Sequence, residues 1–312
     1  MAQTDSPINR SSNAHSNTTG IPGNTAASDN ASMPGNLAAT IDRERARTAF
    51  LAYVAPYDPD NPRIALKVTH TLHVAGLCDC IAREQGWPAA DVDLAWLCGL
   101  LHDMGRFEQV RRWNTFRDAV SCSHAKLGAS VLFGERECLG EPVPAGAPAF
   151  GIPRIRDFID SSAEDAVIRT AIELHSDYRL PRDLDPRARA FTELVRDADK
   201  IDILRVNVET PMEEIYNVST AALRGSPVTP AVLDAFYAHH CVLHSLKQYP
   251  ADNAVGHASL VFELCYSESL RIVDEQGWLW RLLDFKTDNP DTAAAFAAIR
   301  DELHRWLNAQ SA

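Results

Sequence analysis

The sequence predicts an all-α fold, and three observations carry that expectation. Apolar residues recur at spacings of three and four over most of the chain beyond residue 38, the period that gathers them on one face of a helix. Alternating runs rich in β-branched residues, the mark of half-buried strands, are nearly absent. Prolines and glycines cluster between the periodic stretches, where they end helices. With 312 residues the chain is long enough to bury a sizeable core.

Residues 1–37 are rich in Ser, Asn, Thr, Ala, Gly and Pro and hold hardly any large apolar side chain. Burial there would not offset the entropy of ordering, so a disordered tail is expected, followed by a helical domain over 38–312. A first helix runs over 40–54 and ends before Pro56, Pro59 and Pro62. The next is expected over 63–85, with Ile64, Val68, Leu72, Val74, Leu77 and Ile81 among its apolar positions. Gly86-Trp87-Pro88 stops it, and 89–104 forms another. The stretch 105–123 reads as a polar, aromatic-bearing connection. In it Arg111, Arg112 and Arg117 accompany Trp113 and Phe116, which suits either a phosphate with a ring or a solvated loop. A helix over 124–133 and a Gly/Pro-rich loop or insertion over 134–153 follow. Further helices are expected over 163–176, 186–205, 212–223, 230–245, 254–275 and 292–308, with Trp278-Leu279-Trp280 packing against the core. No internal repeat is evident.

Asp and Glu number 42 against 30 Lys and Arg, so an extended nucleic-acid surface is not expected. No run approaches the ~18 consecutive apolar residues that span a bilayer, and the N-terminus lacks the layout of a secretory signal. The expectation is a cytoplasmic protein without a membrane partner. The seven cysteines contain no CxxC pair and read as small buried apolar residues in a reducing compartment, not as a thiolate zinc site.

Chemistry enters where the apolar run Ala95–Leu101 ends in His102 and Asp103, two metal-binding groups side by side. His70 lies within a predicted helix, His124 opens one, His175 nearly closes one, and Asp199 stands in Asp197-Ala198-Asp199-Lys200. Imidazoles with carboxylates suit Mn, Fe, Mg, Co, Ni or Zn better than a thiophilic ion. Facing helices of a bundle can bring such residues to one point.

Three segments, Lys67-x-x-His70-Thr71-x-x-Val74-Ala75, Leu100-Leu101-His102-Asp103-Met104-Gly105-Arg106-Phe107 and Arg196-Asp197-Ala198-Asp199-Lys200-Ile201-Asp202, resemble in order and spacing those of the HD-domain superfamily of metal-dependent phosphohydrolases. The resemblance covers about 63–205 and implies an HD-domain helical bundle, with 206–312 as additional C-terminal helices. It implies that His70, His102, Asp103 and Asp199 hold one divalent metal ion, with His73 a neighbour or surface residue and Asp197 a structural carboxylate. In some phosphodiesterase subfamilies two further histidines hold a second ion bridged by the HD aspartate, and His124 and His175 occupy that order. Ser123 stands where an Asp often precedes the first of them, and the Gly-Tyr-Pro signature of cyclic-dinucleotide enzymes is absent.

The expected function is hydrolysis of a phosphate mono- or diester, with a nucleotide or related small phosphorylated molecule as the expected substrate. Asp103 would bind metal and accept a proton, while Arg106 and Lys200, beside ligands in sequence, would hold phosphoryl oxygens. Two alternatives stand next to it: a non-catalytic protein that senses a nucleotide, and a di-iron oxygenase on the same fold. The complete ligand set argues against the first. A homo-oligomer is left open.

Overall fold

Helix α2 (Pro62–Glu84) is the centre of the fold, and a computed structural model describes it together with the rest of residues 40–134 and 154–310. The expected tail over 1–37, and all but the first residue of the loop expected over 134–153, lie outside the described residues. Asn61 caps α2 by accepting a hydrogen bond from the Arg63 amide at 3.0 Å, and Pro62 supplies the fixed φ that suits a first helical residue. Against α2 pack α3 (Ala89–Leu101) and α8 (Pro186–Glu209), the latter started by an aspartate cap, Asp185, and again by a proline. The helices α4 (Met104–Trp113), α5 (His124–Phe133) and α7 (Asp165–Leu174) close the bundle, with α4 on α5, α5 on α7 and α7 on α8. Helix α1 (Arg43–Val54) lies against α3 and against the short α6 (Ile155–Phe158).

Beyond α8 come α9 (Met212–Tyr216), α10 (Thr220–Arg224), α11 (Pro230–Tyr237), α12 (Ala251–Ala258), α13 (Ser267–Gln276), α14 (Trp278–Leu283) and α15 (Pro290–Gln310). No strand occurs among the described residues, so the fold is all-α. Leu279 is fully buried between two half-buried tryptophans, and Trp280 stacks on His304 with ring centroids 3.9 Å apart. Cys78 and Cys98 are buried as expected, whereas Cys80, Cys122 and Cys241 are half-buried and Cys265 is exposed.

Three expectations need correction. Helix α3 stops at Leu101 instead of 104, Asp103 leaves helical geometry (φ −106°, ψ 17°), and a new helix, α4, occupies much of the stretch expected as a connection. Gly105 is therefore inside a helix, and its role is close approach. A Cβ there would lie 2.1 Å from the His124 carbonyl oxygen and 2.6 Å from the Gly128 amide nitrogen, both backbone atoms. In the C-terminal part, three expected helices are interrupted. Asn217 (φ 53°) ends α9, and His239 (φ 55°) lies in the left-handed region just beyond α11. The helix expected over 254–275 is α12, a 3₁₀ turn over Ser259–Glu263, and α13. Its break has a visible cause: the amides of Cys265 and Tyr266 donate to the buried Asp197 carboxylate at 2.8 and 3.1 Å instead of continuing a helix.

The third correction concerns α2, which is long and apolar enough by length and composition to cross a bilayer. Its inner face buries His70 and Thr71 beside Val74, Ala75, Cys78 and Ile81, and it packs between α3 and α8, as a core helix does.

The two glycines at Gly105 and Gly76 should respond oppositely to alanine. Gly105→Ala forces α4 from α5 and is expected to lower stability by about 3 kcal/mol. Gly76 is exposed in the interior of α2 with nothing within 4 Å of a Cβ, so Gly76→Ala should raise stability by roughly 0.5–1 kcal/mol. Urea denaturation of both variants checks the pair.

Candidate metal centre

Five elements bring the predicted residues together. His70 comes from the middle of α2, His102 and Asp103 from the α3–α4 turn, His124 from the first residue of α5, His175 from the end of α7, and Asp199 from the middle of α8. Each is held locally. The Tyr53 hydroxyl donates to the Met104 carbonyl at 3.1 Å and pins the α3–α4 turn. Ser123, capping α5, accepts from the Lys126 amide at 3.4 Å. Carbonyls at the end of α7 have no helical partner of their own. The Arg196 guanidinium takes up those of Leu174 (3.2 Å), His175 (3.0 Å) and Asp177.

The donor atoms form two sets that share one carboxylate. Around Asp103 Oδ2 lie His70 Nε2 and His102 Nε2, each at 3.5 Å, and the two ring nitrogens are 3.4 Å apart. Asp199 Oδ1 joins them, 3.1 Å from His70 Nε2 and 3.9 Å from His102 Nε2. Around Asp103 Oδ1 lie His124 Nε2 at 3.5 Å and His175 Nε2 at 3.9 Å, themselves 3.1 Å apart. His70, His102, Asp103, His124 and His175 are all buried.

The far side of every ring has a hydrogen-bond acceptor at 2.7 Å from Nδ1. His102 donates to the Gly99 carbonyl and His175 to the Ile172 carbonyl. His70 donates to Asp202, which Arg205 holds in turn at 2.7 and 2.9 Å, and His124 donates to Asp118. A proton fixed on Nδ1 leaves the Nε2 lone pair facing the shared centre, the orientation that metal-ligating histidines adopt.

Burial pushes the pKa of His102 down, and those of His124 and His175 down to about 4, so these three rings are neutral at pH 7. Burial and the nearby Lys67 ammonium oppose a charge on His70, but the Asp199 and Asp202 carboxylates outweigh them and raise its pKa above 6.5. Burial alone would raise Asp103 as well. Lys67, His102, Arg106 and His124 reverse that and hold it well below the usual carboxylate range.

Lone pairs on neutral imidazoles and ionised carboxylates repel one another at these separations, and a cation between them removes the repulsion. Asp103 Oδ1 is buried with no hydrogen-bond partner among the described residues, although a buried charged oxygen rarely goes unpaired. His70, His102 and Asp103, and likewise Asp103, His124 and His175, could each hold a metal ion. Nitrogen with carboxylate oxygen is the donor chemistry of borderline and hard divalent ions.

Arg106 stands where the sequence suggested, with Nε 3.5 Å from Asp103 Oδ1 and Nη1 on Asp118 at 3.0 Å. Lys200 does not. It follows Asp199 by one residue, hence by about 100° around the helix, and its ammonium faces the Glu263 carbonyl at 3.4 Å. The lysine that does reach the centre is Lys67, one turn before His70, with Nζ 2.6 Å from Asp103 Oδ2. Sequence reasoning passed over Lys67, Asp118 and the role of Asp202. Spacing offered a signal for two of them, since Lys67 lies three residues before His70 and Asp202 three after Asp199. Asp118 had none, because a 3₁₀ turn (Asp118–Val120) positions it. His73, half exposed, reaches Asp202 Oδ1 at 3.2 Å, and Asp197 serves the backbone of 265–266. Arg111 and Arg112 both pair with the buried Glu108, so they are held in the fold instead of offering a phosphate site.

No curated protein and no solved structure matches the chain. The family model described as HD domain matches residues 68–206, a span that contains His70, His102, Asp103, His124, His175 and Asp199. Residues 68–206, which build the buried His/Asp cluster, are thus similar to an HD domain.

Proposed function

We propose that the protein is a metal-dependent phosphohydrolase acting on a small phosphate ester, with a nucleotide as the substrate class. The observation that supports it best is the Asp103 carboxylate, flanked by imidazoles on both oxygens and by Lys67 and Arg106. His70, His102, Asp103 and Asp199 would hold one divalent ion, and Asp103, His124 and His175 a second. Bound there, such ions supply Lewis acidity toward a phosphoryl oxygen and toward water.

The chain's own contribution is positive charge and placement. Lys67 and Arg106 offer an ammonium and a planar guanidinium to the non-bridging oxygens of a phosphoryl group. Both lie over the Phe116 ring, at 5.5 and 5.6 Å from its centroid, which keeps them close to Asp103. Phe116 is half-buried, and its ring next to two cations is the feature that favours a nucleotide over a simpler ester. The same two cations favour a phosphorylated substrate over the oxidative chemistry of a di-iron centre.

Manganese-loaded protein is expected to release phosphate or an alcohol from nucleotides or generic phosphate esters in a substrate screen. Asp103→Asn should lower kcat/KM by on the order of 10²–10³, and Lys67→Ala should weaken it too, whereas Lys200→Ala should change it little. Activity that survives Asp103→Asn would refute the assignment.

Asp118→Ala leaves the ligands in place but frees the His124 ring. It should weaken manganese binding by roughly 10–100-fold, read by equilibrium dialysis.

Acidification should empty the two ion sites in a fixed order. His70, its pKa raised above 6.5, is protonated first, so an ion held by His70, His102, Asp103 and Asp199 competes with a proton already near neutral pH. His124 and His175 stay neutral until about pH 4, so the other ion persists further down. Cobalt content followed by dialysis from pH 8 to pH 4 should fall in two steps; one step centred near pH 6.5 would contradict the two environments.

A further inference from the structure

A pocket of about 530 Å³ opens between α2, α8 and the Gly277 turn that joins α13 to α14, and it touches the metal centre through one side chain. That side chain is Asp202. Its Oδ2 accepts from His70 Nδ1 at 2.7 Å and from Arg205 at 2.9 Å. Its Oδ1 accepts from Arg205 Nε at 2.7 Å and faces His73 Nδ1 at 3.2 Å. Asp202, His73 and Arg205 all line the pocket. The pocket therefore lies on the Nδ1 side of His70, whereas the ligand nitrogen Nε2 faces the opposite way, toward Asp103 and Asp199.

The lining indicates what would bind. Trp278 brings an indole, with Arg281 covering its ring at 4.5 Å from the centroid. Leu72 and Leu77 supply apolar wall, and the exposed Gly76 leaves open space, with nothing within 4 Å of a Cβ. The Gln276 amide and the Trp278 indole N–H make no hydrogen bond among the described residues, and His73 keeps Nε2 unused. These groups offer both donors and acceptors beside the apolar wall of an open pocket. Charge in the lining is already matched: Arg205 spends Nε and Nη2 on Asp202 and Nη1 on Glu209, so it has little to give a phosphate.

We propose that this pocket binds an uncharged planar heterocycle, a nucleobase or its nucleoside, and that occupancy alters the hold of Asp202 on His70. A ring stacked on Trp278 and bonded to His73 shifts one of the partners that keep Asp202 in place. Asp202 in turn fixes the proton of His70, so the change reaches the ligand nitrogen without contact with the centre. The coupling rests on His70 being a metal ligand; the binding does not, and it needs no turnover.

Saturation-transfer NMR and calorimetry on the full chain would use adenine, adenosine and cytidine as probes, with AMP as the charged control. Adenosine or adenine is expected to bind, and Gly76→Leu, which fills the pocket, and Gln276→Ala, at the exposed rim, should each weaken that binding by about tenfold. Manganese uptake and melting temperature should be retained in both variants. If Gly76→Leu does not fold, Gln276→Ala carries the comparison. No binding of any uncharged probe, or binding unaffected by both variants, would overturn the site. AMP binding that Gly76→Leu removes as fully as adenosine's would overturn the exclusion of phosphate. Saturating adenosine should change manganese affinity by about threefold or more, and saturating manganese should change adenosine affinity by the same factor, as linkage requires. Manganese affinity that does not move would overturn the coupling, while loss of hydrolysis alone would bear only on the phosphohydrolase reading.

Discussion

A carboxylate cannot be buried without partners, and Asp103 is buried at the point where the helices of the HD segment meet. Each helix that reaches it brings a group that compensates its charge or shares its need for a cation. Helix α2 sends Lys67 and His70, the α3–α4 turn sends His102, α4 sends Arg106, α5 sends His124, α7 sends His175, and α8 adds the second carboxylate, Asp199. A bundle of apolar faces would tolerate small shifts of one helix along another. This one does not, because sliding α5 by a residue parts His124 from Asp118, and sliding α8 parts Asp202 from His70, which leaves buried polar groups unpaired in a low dielectric.

Close approach of backbones is the second condition. Two helix pairs next to the centre also pack with their backbones nearer than ordinary side chains permit. Gly105 and Gly128 make this possible between α4 and α5, where a Cβ on Gly105 would strike backbone at 2.1 Å. Gly99 does the same between α3 and α2: a Cβ there would come within 2.8 Å of the Cys78 sulfur and 2.9 Å of the Ala75 Cα. Gly99 and Gly105 each stand three residues from His102, so the residues that bring the helices together and the buried His-Asp pair share one short stretch of chain.

Much of this was legible in the sequence, for reasons that differ residue by residue. His102 and Asp103 were conspicuous because an apolar run leads into them, and helix periodicity located α2, α3, α5, α7 and α8. Gly105 was misread because glycine carries two messages, a helix end and a close contact, and only the facing backbone tells them apart. Lys200 was misplaced because adjacency along the chain was taken for adjacency in space, which a helix forbids. Arg111 and Arg112 could have been recognised as structural, since Glu108 lies three and four residues before them. Asp118 was not legible at all. Its pairing with His124 depends on how a short irregular segment folds back, and no period records that. The C-terminal breaks were hidden for the same reason, as they are set by groups on α8 and by two left-handed residues.

The C-terminal helices complete the centre indirectly. Helix α8 presents Asp199 and Asp202 to α2, and its other polar groups must find partners elsewhere. Asp197 takes the amides of Cys265 and Tyr266, and Lys200 meets the Glu263 carbonyl. Without the turn at 263–266 these groups would be left next to a buried face, and burial already raises the Asp197 carboxyl to about pH 6. The fit of α13 and α14 against α8 therefore sets how firmly α8 can hold its two inward carboxylates. It also places Trp278 and Gln276 beside the pocket behind His70, so the part of the chain outside the HD match shapes the environment of His70 inside it.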